Sequence, residues 1–349
     1  MSYLYAVLAA ALFGASTPVA KTLLSGLPPF MLAALCYLGS GLAIAAWKLA
    51  SGALRAPGRP GEPALALKDW PYVAGFILSG GVLAPVLLLK GLALTTSSGA
   101  SVILNLELIF TSLIAWAVFK EHTGPRFWLA AALVAAGAVL LSVTPGEFSL
   151  TFGKGPVFVA LAALLWGVDN NLTAKLSIKD PAAIALIKGL TGGAINLMLA
   201  ARAGEFFWDP ALWLPGLALG AVAYGAGLVL FIMAMRGLGA ARAGAFFGTY
   251  PFFGVVLSVI FLGEPVTLSL AAAFVLMTAA FYLIISERHG HRHTHELLPH
   301  EHLHSHDDAH HAHPHAEGEA VPEHSHAHTH AEISHAHPHT PDSHHRHVH

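Results

Sequence analysis

Residues 29–47 read PFMLAALCYLGSGLAIAAW, a run of nineteen positions without a charged side chain. Coiled as a helix, a run of this length crosses the hydrocarbon core of a bilayer, which takes about 20 apolar residues. In lipid the segment must be helical, because a helix satisfies its own backbone hydrogen bonds and a lone strand does not. The stretch therefore predicts a transmembrane helix, with the lipid bilayer as its partner.

Nine further stretches have the same character. Of the 349 residues, 55% are hydrophobic and 11% are charged, whereas a water-soluble domain carries about 25% charged residues. The sequence thus predicts an all-α integral membrane protein of ten transmembrane helices. The predicted helices are Tyr3–Leu23, Pro29–Trp47, Tyr72–Leu89, Ala100–Phe119, Phe127–Val143, Pro156–Ala174, Ala182–Ala200, Leu212–Met235, Ala243–Leu262 and Leu268–Ile285.

The basic residues indicate the orientation of the chain. Lys and Arg concentrate on the cytoplasmic side of a membrane protein. With the N-terminus inside, 13 of the 18 Lys and Arg residues fall on the cytoplasmic connections and the tail, and five fall elsewhere. We therefore expect both termini to be cytoplasmic and the protein to lie in a prokaryotic plasma (inner) membrane.

Two pairs of segments echo each other along the chain. The fourth predicted helix ends SLIAWAVFKE at Glu121, and the ninth ends VVLSVIFLGE at Glu264. The first and sixth predicted helices share an aromatic-glycine pair followed by a lysine. Those residues are Phe13, Gly14 and Lys21 in the first helix and Trp166, Gly167 and Lys175 in the sixth. The echoes predict an internal repeat.

The repeat divides the chain into two five-helix halves, 1–144 and 153–286, followed by a tail, 287–349. Because five is odd, the second half would enter the membrane from the opposite face. Inverted repeats of this kind build two exchangeable gates around a midplane site in many secondary transporters.

These features together resemble the drug/metabolite transporter superfamily, specifically its EamA-type members. The resemblance rests on ten helices, two five-helix modules and the glutamate-ended helices, and it covers residues 1–286. It implies transport of a small organic solute without ATP, through a cavity lined by the first, third, fourth, sixth, eighth and ninth helices. The chain departs from the family pattern at Cys36, where Arg is frequent, and at Leu108, where Pro is frequent.

Ionisable side chains inside a bilayer cost about 2.5–3.5 kcal/mol on insertion scales, so they face a cavity or a partner. Glu107 lies in the middle of the fourth predicted helix, beside Asn105, in the sequence ILNLELIF. One interpretation is that Glu107 takes up a proton and couples its movement to the solute. The other is a structural Glu paired with a Lys or with hydroxyls of a neighbouring helix.

Three consecutive polar residues, Asp169, Asn170 and Asn171, interrupt the sixth predicted helix. Successive helical side chains point about 100° apart, so at least one of the three must face the bundle interior. They form either a polar wall of the cavity or interhelical hydrogen bonds. Lys188, inside the seventh predicted helix, is a candidate counter-ion for Asp169 or Glu107, or else extends towards the interface.

The eighth predicted helix is rich in glycine, which favours close helix packing over a hinge. It also carries Tyr224. We include Tyr224 among the candidate substrate or coupling contacts.

The tail is the most unusual part of the composition, because it holds 23 of the 24 His residues. It has no apolar run able to form a core, so we expect it to be disordered. Imidazole is a ligand for Zn, Ni, Co and Cu, so the His-x-His pattern predicts loose, unspecific metal binding. The alternative is a solvated tail whose charge responds to pH. The candidate ligands are His289, His291, His293, His295, His300, His302, His304, His306, His310, His311, His313 and His315.

The sequence leaves three functions open. The first is a secondary transporter of a small organic solute or metabolite, with export as the expected direction and a proton as the possible coupling ion. The second is a divalent-metal transporter whose tail acquires or senses the metal, and the third is a membrane-bound metal sensor or store. No nucleophile–base set or phosphate loop indicates an enzyme. No cofactor is required, no nucleic-acid partner is indicated, and the oligomeric state is undetermined.

Overall fold

The computed structural model describes residues 2–50, 65–119, 125–142, 153–176, 179–238 and 246–286, and four tail segments, 289–295, 299–305, 323–329 and 333–339. Within these residues a helix lies in every predicted stretch. Seven helices are α-helical along their whole length. They are α1 (Ser2–Leu23), α2 (Pro29–Ala50), α5 (Pro125–Ser142), α6 (Lys154–Ala174), α7 (Pro181–Arg202), α9 (Tyr250–Leu262) and α10 (Leu268–Ile285).

The other three helices are composite. Helix α3 follows a 3₁₀ turn, Leu67–Asp69, and consists of Trp70–Phe76, a π segment Ile77–Leu83, and Ala84–Ala93. Helix α4 consists of Ser97–Ile103 and Leu106–Phe119. Helix α8 consists of Pro210–Leu219, a π segment Gly220–Ala226, and Gly227–Leu238. The sequence predicts unbroken helices at these three places, because apolar periodicity does not reveal a local change of winding.

Seven of the described helices are long and apolar enough to cross a membrane, and α5, α9 and α10 supply three shorter apolar helices. The outward faces remain apolar, as at Leu42, Val222 and Ile260, which are each more than half exposed. A lipid-facing surface has this composition. The chain is therefore an all-helical, multi-pass membrane protein, while the count of ten crossings stays a prediction.

The core lies where helices of the two halves meet. Met31 of α2, Leu92 of α3 and Val159 of α6 are fully buried in one apolar cluster. Helices α2 and α7 pack along their length. At one end of this contact, Nζ of Lys48 lies 2.5 Å from Oδ2 of Asp180. The inward-facing surfaces of the surrounding helices therefore line one shared space inside the bundle.

The tail contains paired strand segments, while its expected disorder stays a prediction. Four strands are present, β1 (His289–His295), β2 (Pro299–Ser305), β3 (Glu323–Thr329) and β4 (Ile333–His339). Strand β1 pairs antiparallel with β4, and β2 pairs antiparallel with β3. The physical reason is the spacing of His at every second residue, which is the period of a strand. The candidate ligands His306, His310, His311, His313 and His315 lie outside the described residues.

We predict that Gly220→Ala lowers stability by about 1–3 kcal/mol, as overpacking of a tight contact does. A Cβ at Gly220 would lie 1.9 Å from the backbone oxygen of Cys36, so α8 would have to move away from α2. The measurement is thermal unfolding of the detergent-solubilised protein.

The matched control is Gly137→Ala in α5, where a Cβ would make ordinary contact, 3.5 Å from the backbone oxygen of Ala273. This control should be neutral or slightly stabilising, because Ala favours a helix over Gly. Equal unfolding temperatures for the two variants would refute the packing account of α8.

Candidate functional site

A cavity lies inside the bundle. Helices from both halves of the chain contribute to its wall. The lining side chains include Phe13, Ser16, Thr17, Tyr37, Ser40, Leu88, Leu104, Glu107, Trp166, Asp169, Asn170, Ala185, Lys188, Tyr224, Leu228, Phe231, Phe247 and Tyr250. The family resemblance implies six lining helices, and the structure adds two to that set. Helices α2 and α7 also line the cavity, because their contact with each other turns Tyr37 and Lys188 towards it.

The cavity wall contains an ion pair between Asp169 and Lys188. Nζ of Lys188 lies 2.5 Å from Oδ2 of Asp169, and the two side chains are 11% and 6% exposed. Thr173, one turn further along α6, donates to Oδ1 of the same carboxylate at 3.3 Å. The sequence left Asp169 and Glu107 as possible partners of Lys188, and in the structure Asp169 is the partner.

The backbone of α3 approaches this ion pair closely. A Cβ at Gly80 would lie 2.2 Å from Oδ2 of Asp169, so any larger residue would displace the carboxylate. Gly80 belongs to the π segment of α3, and π segments are frequent at functional sites. Its carbonyl accepts hydrogen bonds from the Tyr37 hydroxyl and, at 3.3 Å, from Nε1 of Trp166. Gly80 therefore joins α2, α3 and α6 at the cavity wall.

Within the part of the chain that the structure describes, the hydrogen-bond donors to Glu107 are neutral groups. The Tyr250 hydroxyl donates to Oε2 at 2.7 Å, and Nδ2 of Asn170 donates to Oε1 at 2.8 Å. Glu107 lies just after the break between the two segments of α4, and Tyr250 is the first residue of α9. The contact therefore joins α4, α6 and α9 around one carboxylate.

Aromatic rings cover much of the remaining wall. The ring of Tyr224 lies 5.7 Å from that of Phe13 and 5.6 Å from that of Tyr37. Phe247 lies 4.9 Å from Phe13 and 5.2 Å from Tyr250, measured between ring centroids. The cavity can therefore enclose the apolar part of a solute, while two carboxylates and one ammonium group lie beside the polar part of that solute.

Two of the predicted site residues lie outside the cavity wall. Nδ2 of Asn105 donates to the backbone oxygen of Val102 and to the sulfur of Met277 in α10. Nδ2 of Asn171 donates to the backbone oxygens of Gly167 and Thr111, at 2.8 and 3.0 Å. Both amides thus pack helices together. The cavity brings together the remaining candidates, Glu107, Asp169, Asn170, Lys188 and Tyr224.

The sequence analysis missed Tyr250, Trp166 and Tyr37 as parts of the site. Tyr250 precedes Pro251 at the start of α9, and a proline at a helix start was the available signal. The sequence offered no comparable signal for Tyr37, since aromatic residues are common on helix faces that pack against other helices.

The described side chains contain no group of three or more His, Cys, Asp and Glu arranged to hold a metal ion. In the cavity itself the available metal-ligating acids are Glu107 and Asp169, and each is already hydrogen-bonded. These residues do not fit a resident metal centre.

The sequence pattern of the EamA-like transporter family matches residues 1–143 and 153–286. The chain belongs to the EamA-like transporter family. An uncharacterized transporter of Methanothermobacter thermautotrophicus is 30% identical over 293 residues, covering 81% of this chain and 85% of that protein. The match to the family ends at residue 286, so the His-rich tail follows it.

Two further proteins are similar to this chain. A probable 4-amino-4-deoxy-L-arabinose-phosphoundecaprenol flippase subunit, ArnE, of Pseudomonas fluorescens is 37% identical over 86 residues, which is 24% of this chain and 73% of that protein. A solved crystal structure superposes with a TM-score of 0.60 at 21% identity, covering 81% of this chain and 95% of its own. At that identity the likeness concerns the fold alone. EamA-family proteins transport small solutes across membranes, and this chain shares that role.

We predict that Lys188→Met destabilises the protein by about 3–5 kcal/mol, because it leaves a buried carboxylate without its cation. The double variant Asp169→Asn/Lys188→Met should recover most of the loss, since it removes both charges. Thermal unfolding of the four proteins of this double-mutant cycle measures the coupling. Additive effects of the two single substitutions would show that the ion pair contributes nothing to stability.

Proposed function

We propose that this chain is a secondary transporter that exports a small organic solute through the cavity, coupled to a proton. The observation that carries the proposal is the convergence of Glu107, Asn170 and the Asp169–Lys188 pair on one aromatic-lined space between the two halves. Small-molecule sites are concave and mostly apolar, with a few polar groups that fix orientation.

Two inverted five-helix repeats would give this cavity alternating access to the two faces. The family pattern matches the chain twice, over stretches of similar length. The third helix of each half, α3 and α8, carries a π segment. These features support the repeat, and in transporters built this way the substrate site lies between the repeats near the midplane.

Glu107 is the proposed proton site. Its donors, Tyr250 and Asn170, serve the ionised carboxylate. A proton on Oε2 could be donated to the Tyr250 hydroxyl, which also accepts, whereas a proton on Oε1 would face the Asn170 amide group, which only donates. Protonation of Oε1 would therefore loosen the contact that joins α4 to α6. The titratable groups that face this space are Tyr37, Glu107, Asp169, Lys188, Tyr224 and Tyr250.

We predict that Glu107→Gln abolishes the pH dependence of solute flux, and that Asp169→Asn lowers the flux at every pH. The glutamine keeps the shape of the side chain but cannot bind and release a proton. Flux is measured in vesicles carrying each variant, with an imposed pH gradient and solutes found by screening a deletion strain.

The matched control is Glu205→Gln, at a carboxylate that accepts from the backbone nitrogen of Phe30 at 2.8 Å and does not line the cavity. It should behave as wild type. Wild-type flux and wild-type pH dependence in both Glu107→Gln and Asp169→Asn would refute the proposed coupling.

A second proposal concerns the tail, which we infer to be a loose store or sensor for Zn, Ni, Co or Cu. The strand register places His opposite His at six positions. Imidazole is a ligand for each of these metals, and the backbone register brings two His positions together at each of these pairs. The paired positions are 289 with 339, 291 with 337, 293 with 335, 300 with 328, 302 with 326, and 304 with 324.

We predict that the full-length protein binds several divalent cations and that removal of residues 289–349 abolishes this binding while leaving solute flux unchanged. Equilibrium dialysis with Zn²⁺ or Ni²⁺ and metal analysis give the stoichiometry. The matched control exchanges Gly290 with His291 and Arg292 with His293, which keeps the composition but moves two His residues off their paired positions. Unchanged stoichiometry and affinity in that control would refute the paired arrangement.

A further inference from the structure

The charges on the cavity wall do not balance. The side chains that line it include two carboxylates, Glu107 and Asp169, and one cationic group, the ammonium of Lys188. Lys188 is bonded to Asp169 at 2.5 Å, so that pair is neutral as a unit. Glu107 remains as one carboxylate whose hydrogen-bond donors are a phenol and an amide. When ionised, the described wall therefore carries one net negative charge.

This balance disfavours an acidic solute. A solute carboxylate or phosphate would need a cation on the wall, and Lys188 is already bonded to Asp169 and lies 5.6 Å from the ring centroid of Phe76. Freeing Lys188 would leave Asp169 buried without a counter-ion, which is strongly unfavourable. A zwitterion meets the same difficulty at its acidic end.

The aromatic side chains favour a cation of limited size. Tyr250 donates to Glu107 and also packs against Phe247, so rings lie beside the unbalanced carboxylate. Trp166 and Tyr224 contribute further rings to the same wall. An ammonium group close to aromatic faces gains a cation–π attraction in addition to its ion pair, and this attraction is greatest where water is excluded.

We infer that the cavity binds organic ammonium compounds, which carry one positive charge and an apolar or aromatic body, and that Glu107 binds the ammonium group. This inference rests on the proposed transport function and specifies the class of solute at the same site. Tyr250 and Asn170 are positioning residues, because they hold the two carboxylate oxygens in place. Asp169 and Lys188 neutralise each other and exclude acidic solutes.

The test is a binding measurement on the full-length protein in lipid nanodiscs, by titration calorimetry with four probes that share a phenyl ring. Phenethylamine is the cation, 2-phenylethanol the neutral analogue, phenylalanine the zwitterion and 3-phenylpropionate the anion. Phenethylamine should bind at least about 10-fold more tightly than the other three, because a charge-assisted contact contributes more than a neutral one. Tightest binding of the anion or the zwitterion, or no preference, would overturn the inference.

Two variants locate the charge that selects the cation. Glu107→Gln should weaken phenethylamine binding by about 10-fold or more and leave 2-phenylethanol binding unchanged, which shows that the cavity is intact. Glu205→Gln, at a carboxylate that accepts from the backbone nitrogen of Phe30 outside the cavity wall, should leave the preference for the cation in place. Equal weakening of phenethylamine binding in both variants would contradict the assignment to Glu107.

Flux measurements separate this inference from the proposed function. Binding of phenethylamine without flux of any solute would leave the solute class standing and refute transport. Flux of an acidic or zwitterionic solute without binding of phenethylamine would refute the solute class and leave transport standing.

Discussion

The ion pair between Asp169 and Lys188 is the interaction on which the interior of the bundle depends. Opposite charges inside a membrane protein stabilise each other when they are in contact, and this contact joins α6 to α7. Gly80 then has to be glycine, because its backbone comes too close to the Asp169 carboxylate to leave room for a side chain. The cavity lies beside this ion pair. Its polar end is formed by the carboxylate of Glu107, whose charge the pair does not neutralise.

Glu264, one of the two glutamates from which the sequence predicts the repeat, also has a structural task. The carboxylate of Glu264 accepts from the backbone nitrogens of Ser97 and Ser98, at 2.7 and 2.8 Å. It thereby caps the start of α4, where unpaired N–H groups and the helix dipole favour a negative charge. Gly263, in the left-handed conformation with φ of 63°, turns the chain after α9 and brings Glu264 to this position. The corresponding Glu121 lies outside the described residues.

Much of the fold could be predicted from the sequence, because lipid removes most alternatives. A long apolar run in a bilayer has to be a helix, so every predicted stretch contains one. Local winding could not be predicted: the π segments of α3 and α8 contain Gly80 and Gly220, which lie close against neighbouring helices, and hydropathy does not reveal such contacts.

The site could be predicted only in part, for a related reason. A charge inside an apolar helix is conspicuous, and Glu107, Asp169 and Lys188 do meet at the cavity. Asn105 and Asn171 have the same polarity but bond to helix backbones and to Met277. Which face of a helix a polar residue occupies depends on the rotation of that helix against its neighbours. Tyr37 carries no signal in the sequence, because aromatic residues are common on packed helix faces.

In the proposed transport function, the cavity between the halves is the solute path and opens to each face in turn. The most direct measurement is labelling of Leu228→Cys, on the cavity wall, by a membrane-impermeant thiol reagent in right-side-out and inside-out vesicles. A Cys36→Ala background removes the single native cysteine, and Val222→Cys, on the outward face of the same helix, is the control. The account predicts labelling of the cavity position from both faces, slowed by the transported solute, and little labelling of the control. Labelling from one face alone, or equal labelling of both positions, would contradict it.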